Sequence, residues 1–111
     1  MAYDANEIKV LKANSTTELL EIIRTRPYFV GEKSITHLNI WLSGFQHGIC
    51  YSDLGFKEDF DFLKFDEYIQ EYYSEHDTLG WVSKIKNRTA SESEAFELFF
   101  ELYDSYTSES I

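Results

Sequence analysis

Apolar residues along this chain recur at three- and four-residue steps in five blocks, and no block alternates apolar with polar as a half-buried strand does. The first block opens at Ser15, where "STTE" has the spacing of a capping box: the Ser15 hydroxyl can accept a free amide while Glu18 reaches back. Leu19, Leu20, Ile22 and Ile23 mark its apolar face, and Pro27 stops it because the residue before a proline avoids the helical region. "RPYFVGEKS" then reads as a turn, with Gly31 free to take a positive φ. A second helix follows from about Ser34 to about Cys50, with Leu38, Trp41, Leu42, Phe45 and Ile49 on one face. Within it Gly44 and Gly48 sit four apart, a spacing that lets another backbone pack closely.

The third block, about 62–75, has Phe65, Tyr68, Ile69, Tyr72 and His76 on its apolar stripe. A short fourth helix starts near Thr78, turning Trp81, Val82 and Ile85 inward, with Lys84, Lys86 and Arg88 elsewhere around it. The fifth opens at Ser91 with a second capping box, "SESE", and runs through Phe96, Phe99, Phe100 and Tyr103, backed by Ala95, Leu98 and Leu102. Residues 1–14 read as a short helix or a loose arm. The pattern predicts one domain over 1–111, an all-α, compact bundle of about five helices.

Composition agrees with a folded chain. Hydrophobic residues make up 43% of the 111 positions and aromatics 17%, too rich for a disordered tail. A single cysteine rules out an internal disulfide and suits a reducing cytoplasm. The start has no apolar run of signal-peptide length, and no stretch has the length of a membrane span.

Charge changes the picture more. Residues 1–52 hold five acids and five bases, whereas residues 53–111 hold fifteen acids against five bases, so the whole net charge of −10 lies in the second part. That sign disfavours direct binding to nucleic acid or to a membrane and favours a basic protein as partner. The acids also fall in rows. Glu67, Glu71 and Glu75 run at i, i+4 spacing along the third block, and Glu97, Glu101 and Asp104 run opposite the apolar face of the fifth. Neither row has a basic residue interleaved at that spacing, so each repels itself by roughly 0.2–0.5 kcal/mol per pair. With Tyr72, Tyr73 and Tyr106 at the margins, two rows facing the same way would form a negative, tyrosine-flanked surface suited to arginine and lysine. The candidate partner-binding residues are therefore Glu67, Glu71, Tyr72, Glu75, Glu97, Glu101 and Asp104. The competing reading is a solvated face that keeps the chain in solution.

Candidate chemistry is sparse. His47 and Cys50 form an H-x-x-C pair, but no second pair at zinc-ligand spacing exists, and nothing fixes the third member a nucleophile-base set needs. No phosphate loop, dinucleotide fingerprint or G-x-S-x-G is present. The expectation is no enzyme, no metal and no cofactor.

Four segments carry a resemblance: "TELLEIIRTRPYFVGEKSITHLNIWLSGF" (17–45), "FDEYIQEYY" (65–73), "GWVSKI" (80–85) and "SESEAFELFFELYDSY" (91–106). The chain resembles a family of small helical bacterial proteins with an Arg-Pro turn, a G-E-K-S-I start to the next helix, a Gly-Trp helix and a Ser-x-x-E-A-F-x-x-F-F helix. Relatives in that family include immunity proteins of contact-dependent growth inhibition and related polymorphic toxin systems. The resemblance covers about 90 residues, and its motifs are turns, caps and packing residues rather than functional groups. This chain departs from the usual Arg-Pro-Met-Tyr turn at Tyr28-Phe29-Val30. The resemblance implies a cognate toxin domain as partner, a nuclease and more narrowly an EndoU-type RNase. The alternatives are an acidic DNA mimic and an adaptor for another basic protein.

Overall fold

Serine hydroxyls start two of the helices, in the same variant of the expected cap. Ser15 is extended (φ −151°, ψ 160°), and its hydroxyl accepts the Glu18 amide at 3.2 Å to begin α1, Thr16–Thr25. The Glu18 carboxylate then accepts from the Asn14 N–H at 2.8 Å, one residue upstream of the bond that completes a capping box. Ser91 repeats the arrangement, accepting from Glu94 N–H at 3.1 Å while Glu94 accepts from Ala90 N–H at 3.0 Å. Between α1 and the next helix, Pro27 opens a 3-10 turn, Pro27–Val30, and Gly31 takes φ 109° as expected. A Cβ at Gly31 would stand 3.2 Å from the His37 ring. The remaining helices are α2 (Ile35–Cys50), α3 (Phe62–Tyr73), α4 (Trp81–Lys86) and α5 (Glu92–Glu109).

The computed structural model describes residues 13–50 and 57–109, with the side chains of 46–50 outside the description. Among the described residues there are five α-helices and no strand, so the protein is an all-α bundle. Among the described residues an isolated parallel bridge, Ser15 with Lys57, is the only pairing of extended backbone. The readings made for residues 1–12, and those that rest on the packing of Gly48 and on the side chains of His47, Ile49 and Cys50, lie outside the description.

One core serves all five helices. α5 is its spine, burying Ala95, Phe96, Phe99, Phe100, Leu102 and Tyr103. Leu19, Leu20 and Ile23 of α1, Ile35, Leu38 and Leu42 of α2, Phe65 and Ile69 of α3, and Trp81 and Ile85 of α4 close around it. Rings meet edge to face at its centre: Phe65 lies 5.6 Å from Trp81, Phe99 and Tyr106 alike. Burying each such side chain contributes about 1.5–3 kcal/mol, so this cluster, more than helix propensity, holds the bundle.

Several sequence expectations need correction. Gly44 supports no close packing: a Cβ there would meet open space, and the residue is exposed. α3 ends at Tyr73 rather than 75, because Ser74 takes the left-handed conformation (φ 53°, ψ 40°) and the Glu75 N–H turns back to the Gln70 carbonyl. α4 begins at Trp81, not near Thr78. Lys84 does not lie outside; it is fully buried, with its ammonium on Asp77 Oδ1 at 2.6 Å and on the Leu79 carbonyl. Its spacing already carried that signal, since Trp81, Lys84 and Ile85 stand at i, i+3, i+4 on one face. Phe60, in the connector before α3, is also core, among the rings of Phe62, Phe65, Tyr103 and Tyr106.

Candidate functional site: the acidic faces of α3 and α5

The α5 row is tied into the fold. Glu97 pairs with Lys33 from the turn before α2. Asp104 accepts from Arg24 of α1 at 2.6 Å, and that guanidinium lies 4.9 Å from the Phe100 ring and 5.5 Å from Tyr103. Cations absent from the row itself therefore arrive from α1 and from the turn before α2, and relieve the repulsion its spacing implies. Glu101, between the two, makes no ion pair with a described residue.

The first turn of α5 is committed as well. Glu92 accepts from the Ser34 hydroxyl at 2.7 Å and the Thr36 N–H at 3.0 Å, and Lys86 stands 3.2 Å from its other oxygen. It thus satisfies the start of α2 from 56 residues away, together with Ser34, which accepts from the His37 N–H. The Thr36 amide bond, then the Ser34 hydroxyl, hold the Glu92 carboxyl down to a pKa of about 2, against 4.5 unperturbed. Asp59 works the same way on α1: burial opposes its charge, but the hydroxyl and amide of Thr17 outweigh this and lower its pKa.

The α3 row has another fate. Glu75 falls beyond the helix end, where it pairs with Arg88, and the Arg88 guanidinium lies 3.6 Å from the Tyr73 ring. Glu75 therefore leaves the row. Glu67 makes no ion pair with a described residue, and Glu71 has only His76, whose Nε2 stands 3.6 Å away with its side chain 58% exposed. Tyr72, read both on the inward stripe and at the margin of the acidic face, is 55% exposed, and His76, read on the stripe, is exposed too. The ring of Tyr72 is propped by Tyr68 at 5.9 Å and by Tyr73, edge to face, at 5.0 Å. Tyr106, expected at the margin, packs instead against Phe60, Phe65 and Tyr68.

Tyr73, the last residue of α3, is half-buried beneath the Arg88 guanidinium. Burial pushes its hydroxyl pKa up, Arg88 opposes the rise, and Tyr72, Glu101 and Glu75 add to it. So of the seven predicted residues, Glu67, Glu71, Tyr72 and Glu101 stay uncommitted, while Glu75, Glu97 and Asp104 hold cations of this chain. The sequence reading missed Arg24, Lys33 and Arg88 as those cations, because each comes from a different element. Among the described residues no cluster of three or more His, Cys, Asp or Glu is placed to hold a metal ion, and no helix is long and apolar enough to cross a membrane. Comparison with family models, with curated proteins and with solved structures found no match.

Proposed function

We propose that this chain is an immunity protein: in the cytoplasm it binds a cognate toxin domain, a nuclease, and neutralises it without chemistry of its own. An EndoU-type RNase is the narrower form of the reading. The observation that carries it is the uncommitted face of α3, where Glu67, Glu71 and Tyr72 are exposed on a chain of net charge −10. A nuclease must present a cationic surface to bind phosphate, and carboxylates can stand in for that backbone or block the way to it. The field of the acidic half would speed encounter, while a few desolvated anchors would set the lifetime of the complex. The resemblance of segments 17–45, 65–73, 80–85 and 91–106 to immunity proteins supports the same reading.

The test is co-expression with the C-terminal toxin domain encoded immediately upstream, followed by purification and a growth assay. A stable complex that restores growth is expected. No complex and no rescue would contradict immunity, and capture of a housekeeping DNA-binding protein instead would favour the DNA mimic.

A further inference from the structure

Two arginines in this fold are seated alike. Arg24 lies over Phe100 and Tyr103 and pairs with Asp104 and, at 3.7 Å, with Glu21. Arg88 lies over Tyr73 and pairs with Glu75. The chemistry explains the repetition. A guanidinium is flat, so it can lay one face on a ring while its N–H groups reach a carboxylate in its own plane. An ammonium has no such plane and is more strongly hydrated, so it gains less from the same pair of neighbours.

α3 holds the parts of a third seat without its arginine. Tyr72 is 55% exposed, Glu71 beside it has its side chain 77% exposed, and Glu67 lies one turn earlier. No arginine or lysine among the described residues lies over the Tyr72 ring. The ring is nevertheless held by Tyr68 and Tyr73, and Tyr73 is itself clamped by Arg88. A rigid, half-exposed tyrosine loses little conformational freedom on docking, the property that makes such rings good anchors.

We propose that Tyr72, with Glu71, is the seat for an arginine side chain of the basic partner, and that it selects arginine over lysine. This rests on the reading of the chain as a binder of a basic toxin domain, and adds what that domain must present. An arginine paired with Glu71 would also relieve the repulsion between Glu71 and Glu67, one turn earlier on the same helix.

The test uses the full chain and two fluorescent probes of equal charge, an arginine octamer and a lysine octamer, titrated at low salt. The arginine octamer should bind about two- to fivefold tighter, the preference an exposed cation–π contact supplies. That preference should vanish in Tyr72→Ala, persist in Tyr72→Phe, and persist in Glu58→Gln, which removes one carboxylate from the exposed connector away from the seat. Helical circular dichroism of Tyr72→Ala should match the parent, since the side chain lies outside the core. Equal affinity for the two octamers, or a preference that survives Tyr72→Ala, overturns the seat. With the upstream toxin domain as second probe, the two readings separate. A complex that Tyr72→Ala leaves unchanged overturns the seat while immunity stands; a weakening of about tenfold or more supports it. No complex, with the Tyr72-dependent arginine preference intact, overturns immunity while the seat stands.

Discussion

Helices α3 and α5 carry acidic rows of nearly the same spacing, yet the fold uses them oppositely. On α5, Glu97 and Asp104 each hold a cation from a distant element, and Glu92 caps another helix, so acid there is part of the architecture. On α3, one member of the row is turned away to Arg88 and the others face solvent with Tyr72. A run of carboxylates in a sequence therefore says nothing by itself about availability. What decides is whether the fold brings a base to it.

The largest expected effect breaks the turn that leads out of α3. Lys84 pins residues 77–79 from inside the core, so Lys84→Ala should destabilise the protein by about 2–4 kcal/mol, chiefly through the lost volume. Lys84→Met keeps most of that volume and buries no charge, and should cost clearly less. Denaturant melts of the two variants check this; equal losses would mean that the ammonium contacts, not the packing, hold the turn.

Next in size is the committed side of the comparison. Arg24→Ala removes two ring contacts and the Asp104 pair, and should cost about 1–2 kcal/mol in a thermal or urea melt. It should also turn Asp104 into a free carboxylate like Glu67.

Glu92→Gln should cost about 1 kcal/mol, the scale of a lost helix cap. The pH dependence has a definite sign. Because folding lowers the Glu92 pKa from 4.5 to about 2, its contribution is complete above 4.5 and is lost as pH falls towards 2. Glu92→Gln should therefore flatten that stretch of the stability curve, with a residual slope from Asp59 and Asp77, whose pKa values are also lowered. A curve of unchanged shape would remove Glu92 from the start of α2.

The smallest effect is a gain. Ser74 holds a left-handed conformation that glycine adopts more easily, so Ser74→Gly should stabilise the end of α3 by about 0.5–1 kcal/mol. It should leave Glu75 on Arg88, visible as unchanged tyrosine ring shifts at Tyr73.

The features legible in the sequence were those whose physics is local. Ser15 and Ser91 announced their helices, Pro27 and Gly31 their turn, and the spacing of Phe96, Phe99, Phe100 and Tyr103 the buried face of α5. What escaped was contact at long range. Asp59 caps α1 from 42 residues away, and Arg24 reaches Asp104 across 80. No window of sequence contains both partners. Phe60 escaped because a connector has no periodicity to betray a core residue. At the candidate site, the residue types were readable but their division into committed and free was not, since Lys33, Arg24 and Arg88 decide it.

The most direct measurement is the association rate of the upstream toxin domain with three proteins: the parent, Glu67→Gln/Glu71→Gln, and Glu97→Gln/Asp104→Asn, each at several salt concentrations. Both double variants remove the same formal charge, so the global field changes equally. The α3 pair should slow association more at low salt and flatten its salt dependence, while leaving the melting temperature in place. The α5 pair should lower the melting temperature and change the rate less. Equal slowing by both pairs, or a larger loss from α5, would contradict the claim that α3 carries the partner-binding face.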